Sequence, residues 1–203
     1  LKHLMDLAKE SLEIKRKALD NFMEKGLYPY SRFYLANVKK MRGSYFGNHF
    51  STIGVIGMNE ALLNFAPIKN TIASAEGRKF AAEVLKYMRE KMMDYQNETN
   101  HLYNLEATPA EGVTRRLSRI DKDKYPDIIV ANDEAVRAGK ASPYYTNSSQ
   151  LPVNYTEDLF EALDLQDDIQ TLYTGGTVLH GFLGEALPSA EAVKKIVKTV
   201  SYK

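Results

Sequence analysis

The stretch Thr108-Pro109-Ala110-Glu111-Gly112 combines residues that open helices with small residues that let a ligand approach closely. Threonine as N-cap, proline at the first turn and glutamate three positions on match a capping box. A helix N-terminus that follows a strand presents backbone N–H groups and the positive end of the helix dipole, which suits a phosphate. Taken alone, the turn reads more simply as an ordinary capped helix, and Glu111 weakens the anion case. Tyr173-Thr174-Gly175-Gly176-Thr177 is a second candidate, because Gly175 and Gly176 permit a tight bend or main-chain contact to a ligand. Paired glycines are nevertheless commoner in structural turns than in binding loops. In Tyr144-Tyr145-Thr146-Asn147-Ser148-Ser149-Gln150 hydrogen-bonding side chains crowd together. They fit either the wall of a polar pocket, with Tyr145 and Asn147 in it, or an edge strand with a solvated face. His3, His49, His101 and His180 have no metal-ligand spacing, and no metal site is predicted. No Ser/His/Asp order, P-loop or dinucleotide fingerprint occurs, and Gly54-Val-Ile-Gly57 is too short to count.

Strands alternating with helices would have to position these segments. From Lys2 to Glu24 the apolar residues Leu4, Leu7, Leu12, Leu19 and Phe22 keep helical spacing against a Lys/Glu face, and Gly26 follows as a stop. Residues 27–48 sustain neither period and read as irregular with short extended pieces. Phe50 to Gly57 is a β-rich run leading into a helix that starts at Met58. A second long helix runs from Ser74, its N-cap, to Tyr95. Leu102 to Ala107 reads as a strand feeding the Thr108 turn and its helix. Asp121 to Ser142 is a polar connection, and Tyr144 to Val153 reads as extended. Thr156 to Leu159 opens a helix, Thr177 to Leu183 is strand-like, and Ser189 opens a last helix with a capping box to Ala192. The alternation predicts an α/β fold with a parallel sheet.

Composition bounds the function. The chain has 203 residues and 44% hydrophobic content, enough for one core. Its 27 basic and 26 acidic side chains nearly cancel, so no global field draws it to nucleic acid or to a membrane surface. No apolar run is long enough to span a bilayer and no signal-peptide pattern is present, so a cytoplasmic location is expected. Cysteine is absent, which removes thiolate and thiyl chemistry from these residues. The chain opens on Leu1 inside a helical pattern, as expected of a segment of a longer polypeptide, with 1–203 forming one such segment.

Four runs occur in a set order: Phe50-Ser-Thr-Ile-Gly-Val-Ile-Gly-Met-Asn-Glu60, Asn104-Leu-Glu-Ala-Thr-Pro-Ala-Glu111, Tyr144-Tyr-Thr-Asn-Ser-Ser-Gln-Leu-Pro152 and Tyr173-Thr-Gly-Gly-Thr177. Together they resemble the anaerobic (class III) ribonucleoside-triphosphate reductases, over roughly Gly26 to Thr199. The resemblance implies a segment of a ten-stranded α/β barrel of the glycyl-radical enzymes, in which ribonucleoside triphosphates are reduced by thiyl radical chemistry. It implies formate as reductant, a structural zinc, a radical-SAM activating enzyme and a homodimer for the full-length protein. Thr108 to Gly112 would hold substrate phosphates, and Tyr145, Asn147, Gly175 and Gly176 would line the barrel mouth. Asn48, Ser51 and Thr52 would lie near the ribose, just after a finger loop between Leu35 and Phe46. With no cysteine, no glycyl-radical loop and no four-cysteine module, the segment is expected to bind no cofactor and to be inactive by itself. The competing expectation is a standalone, noncatalytic nucleotide-binding or regulatory module.

Overall fold

The computed structural model describes residues 1–153, 155–180 and 189–202, with only the backbone of Glu111. Helix α1 (Lys2–Glu24) is followed by two short helices, α2 (Pro29–Tyr34) and α3 (Ala36–Arg42), and then by strand β1 (Phe50–Val55). Helices α4 (Met58–Asn64) and α5 (Ala75–Thr99) cross over to strand β2 (Leu102–Ala107), which leads into α6 (Glu111–Lys124). Helices α7 (Asp133–Arg137), α8 (Leu159–Gln170) and α9 (Ala190–Ser201) complete the described elements.

The two strands pair in parallel, Phe50 opposite Leu102 through Val55 opposite Ala107. Parallel neighbours need a long crossover, here supplied by α4 and α5. Helix α5 buries Ala81, Leu85, Met88, Met92 and Tyr95, a three-four spacing that keeps one stripe facing inward. That stripe shares a core with Tyr103, Leu105 and Ala107, the alternate residues of β2. Ser74 starts α5 as read from the sequence, its hydroxyl accepting the Gly77 N–H at 3.0 Å. The opposite face of the pair carries Phe50, Thr52 and Gly54, all exposed. Among the described residues, no helix is long and apolar enough to cross a membrane.

Helix α1 is fastened to the start of the strands by polar contacts. The Arg16 guanidinium donates to Ser51 Oγ at 2.8 Å, to the Phe46 carbonyl at 2.9 Å and to the His49 carbonyl. Tyr95 donates to Asp6 at 2.7 Å, and Tyr103 donates to Glu13 at 2.5 Å, where His101 also binds at 2.8 Å. Burial pushes the Glu13 carboxyl up, but the bonds from Tyr103 and His101 outweigh it and hold the group below its ordinary 4.5. Burial, reinforced by the carboxylates they meet, pushes the phenols of Tyr95 and Tyr103 above their ordinary 10.0. A depressed carboxyl stabilises the fold above its ordinary value, and that stability disappears as pH falls through the lowered one. A raised phenol contributes fully below its ordinary value and loses its contribution as pH rises through the raised one. Thermal unfolding across pH should therefore show a plateau from roughly pH 5 to 10 with a loss on each side. The acid limb should be shallower in Tyr103→Phe, and an unchanged acid limb in that variant would remove Glu13 from the account.

The structure departs from the sequence expectations in five places. Residues 27–48 hold two short helices rather than extended pieces. Pro29 pre-sets the first turn of α2, and neither helix is long enough to show a period. The 121–142 connection likewise contains the end of α6 and all of α7. Tyr144 to Val153 is a turn-rich loop and not a strand. Ser148 takes φ 48°, which breaks any ladder. Residues 177–180 are also irregular, and 181–183 lie outside the described residues. Finally, Thr108 is not the cap of α6. Ala110 occupies that position with no side-chain bond, and the threonine is engaged elsewhere. Ser189 does cap α9, accepting from the Ala192 N–H at 3.2 Å. Asp158, within the 156–159 opening, caps α8.

Candidate functional site

The four sequence runs converge at the C-terminal ends of β1 and β2. On the outer edge of β2, the N–H groups of Thr174 and Gly175 both donate to the Leu105 carbonyl, at 3.0 and 2.7 Å. Leu105 N–H donates to Thr174 Oγ1 at 2.9 Å, and Ala107 N–H donates to the Gly176 carbonyl at 3.1 Å. The glycine turn thus satisfies strand groups that a third strand would otherwise have to meet. At the end of β1, Gly57 N–H donates to the Thr146 carbonyl at 2.9 Å and Met58 N–H to the Ser148 carbonyl at 3.1 Å. Gly57 makes this possible by entering α4 at φ 70°, where its bare Cα lies under the Tyr145 side chain. The loop and the glycine turn are joined in turn, since Ser148 Oγ donates to Tyr173 Oη at 3.0 Å and Tyr173 donates to Ser149 Oγ at 2.8 Å.

Thr108 packs onto β1. A Cβ placed on Gly54 would lie 1.7 Å from Thr108 Oγ1 and 2.8 Å from Thr108 Cβ, so the glycine is the seat of that threonine. Beyond it, Ala110 N–H donates to the Thr108 carbonyl at 3.1 Å, and the chain turns into α6. Pro109 is exposed, and Gly112 sits on the surface of the first turn with open space where a Cβ would go. Tyr145 donates to Asp121 Oδ2 at 2.8 Å, tying the loop to α6. Burial and that bond push its phenol upward.

The candidates divide into two groups. Thr108, Pro109, Ala110, Gly112, Tyr145, Gly175 and Gly176 gather around the strand ends, together with the backbone of Glu111. Asn147 sits in the neighbouring turn, its carbonyl accepting from Gln150 N–H at 3.1 Å. Thr52 lies on the uncovered face of β1. Ser51 points the other way, buried toward α1 on the Arg16 guanidinium. Exposed Asn48 accepts from Arg42 at 3.2 Å before the strand begins. Ser51 lies four residues, or roughly 13 Å, from the end of β1, and Asn48 lies farther still, two residues before the strand.

Two features escaped the sequence reading. Arg115, Arg116 and Arg119 line a shallow cleft of about 420 Å³ with Gly112, Ile120 and Asp123, leaving an excess of positive charge on the first turns of α6. Their spacing just after the Thr108 turn was the available signal. The second is Glu60, a buried carboxylate whose position in a first helical turn resembles ordinary dipole pairing. The arrangement can accept an anion at α6 and a polar, planar group against the 144–150 loop. Among the described residues, no cluster of three or more His, Cys, Asp or Glu could hold a metal.

The family model for anaerobic ribonucleoside-triphosphate reductase matches residues 1–203. The anaerobic ribonucleoside-triphosphate reductase of Haemophilus influenzae is 25% identical over 130 residues, 64% of this chain and 17% of that protein. The anaerobic ribonucleotide reductase of Thermotoga maritima with MES in the active site superposes with a TM-score of 0.70 at 23% identity, covering 98% of this chain and 31% of that one. The same enzyme in complex with dATP and CTP gives 0.69 at 22%, covering 98% and 30%. At these identities the structural likeness speaks for the α/β fold, and the chain spans about a sixth of the curated relative. With the family model matched from the first residue to the last, the chain belongs to the anaerobic ribonucleoside-triphosphate reductase family.

Proposed function

We propose that these 203 residues are one segment of the ten-stranded catalytic barrel of an anaerobic ribonucleotide reductase, contributing substrate-phosphate and barrel-wall contacts. The whole enzyme would convert ribonucleoside triphosphates to deoxyribonucleoside triphosphates in the cytoplasm. The observation that carries this reading is the convergence of the four runs, through backbone hydrogen bonds, at the carboxyl ends of two parallel strands. That is where open α/β sheets take ligands. The uncovered face with Thr52 would turn toward the barrel interior. Thr108, Pro109, Ala110, Glu111 and Gly112 would cradle phosphates at the α6 N-terminus, with the arginine row screening the charge. Tyr145, Asn147, Gly175 and Gly176 would form the adjoining wall, and Asn48, Ser51 and Thr52 the ribose side. The Thermotoga maritima relative, in complex with dATP and CTP, supports a nucleotide as ligand.

In this reading the glycyl radical, formate and structural zinc serve the whole enzyme, with a radical-SAM activating enzyme and a second copy as its partners. The residues present do not fit those groups. Without any cysteine, the chain offers no thiol to carry a thiyl radical or to ligate zinc as a thiolate. Its own contribution is to bind and orient.

Gly112 gives the cleanest test, because a Cβ there has open space and the residue lies on the surface of the first turn of α6. Gly112→Leu should keep the parent melting temperature and weaken CTP binding by about tenfold, roughly 1.4 kcal/mol, in calorimetric titration. Identical isotherms for the two proteins would overturn the phosphate assignment.

A further inference from the structure

Glu60 lies at the inner end of the β1–α4 turn, only 2% exposed, and forms no ion pair among the described residues. Three donors converge on it. Its Oε2 accepts from Thr146 N–H at 2.9 Å, and its Oε1 from the Thr146 hydroxyl at 2.7 Å and from Asn59 Nδ2 at 3.0 Å. Asn59 is itself fixed, because its Oδ1 accepts from Ile72 N–H at 3.0 Å. A buried carboxylate is tolerated when donors surround it, and the first turn of a helix adds favourable dipole. What it grips is more telling than how it is satisfied. Thr146 is held by both its backbone N–H and its side chain, while its carbonyl is held by Gly57 and that of Ser148 by Met58. The residues on either side of it are Tyr145 and Asn147.

We infer that Glu60 is a positioning residue, a buried carboxylate that clamps Thr146 and so aims Tyr145 and Asn147 at the nucleotide. This rests on the proposed reading of the 144–150 loop as a nucleotide wall. The clamp needs a group that only accepts. Glutamine has the same shape, but in either amide orientation its NH₂ meets a donor, the Thr146 N–H or the Asn59 amide. Glu60→Gln should therefore release the loop without emptying the core.

The test measures backbone amide exchange and CTP titration on the whole reductase that contains this chain, in Glu60→Gln, Thr146→Val and Thr146→Ser. In Glu60→Gln, exchange at 145–149 should rise at least tenfold with Leu105 unchanged, and the Kd for CTP should rise at least fivefold. Thr146→Val loses only the hydroxyl bond and should show about a threefold rise in each. It carries the test if Glu60→Gln fails to fold. Thr146→Ser keeps both bonds and should behave as the parent within twofold. Unchanged loop exchange in the first two variants overturns the clamp. A loosened loop with unchanged CTP affinity overturns the positioning role. If the parent binds no CTP, the nucleotide reading falls and the positioning role with it, whereas the exchange data still show separately whether the clamp exists.

Discussion

Replacing Gly54 with valine is expected to cost roughly 1–3 kcal/mol of stability and to weaken CTP binding by about ten- to a hundredfold. Strand preference alone predicts the reverse, since a β-branched residue suits a strand better than glycine does. The deciding quantity is the contact with Thr108. The new Cβ would stand 1.7 Å from the threonine hydroxyl and 2.8 Å from its Cβ. Rotating the hydroxyl away relieves the first clash and leaves the second. Strand β1 cannot retreat either, because its register with β2 runs unbroken from Phe50 to Val55. The Thr108 turn must therefore yield, and it carries the start of α6 with it. Thermal denaturation and CTP titration of the variant check this together. A valine protein with parent stability and parent affinity would show that the Gly54 seat is unimportant.

Truncating Leu105 to alanine should destabilise the chain by roughly 2–5 kcal/mol, visible as a fall in melting temperature of about 5–15 °C. Leu105 is fully buried in the centre of the core, among the α5 side chains and Tyr173. Its main chain also carries three of the four bonds that hold the glycine turn on β2, and those bonds do not depend on the side chain. Stability should therefore fall much more than affinity, the opposite balance to Gly112→Leu. If chemical denaturation shows a loss below 1 kcal/mol, the core is looser around β2 than the packing implies.

The parts of the fold legible in the sequence were those with enough length for a period to show. Helix α1, the Ser74-capped α5 and the strands Phe50–Val55 and Leu102–Ala107 all announced themselves through spacing. Helices α2 and α3 did not, because six and seven residues complete no stripe. The candidate site was legible as an ordered set of runs, but its geometry was not. Threonine before Pro-Ala-Glu satisfies a capping pattern and equally well fills the space above a glycine. Only the distant Gly54, on another strand, decides between them. Ser148 at φ 48° has no side-chain signature of a positive-φ position. Glu60 was hidden for the same reason as Thr108, since its partners arrive from a loop far along the chain.

The parallel pairing of β1 with β2 also governs the order in which the molecule can assemble. Each β1 residue finds its partner about fifty positions later, so no part of the ladder forms by local collapse. The intervening chain must first be shortened, and α5, capped at Ser74 and long enough to nucleate, is the segment able to do so. Folding should thus begin at the crossover helix, with the rim at the carboxyl ends of the strands among the last features to become ordered.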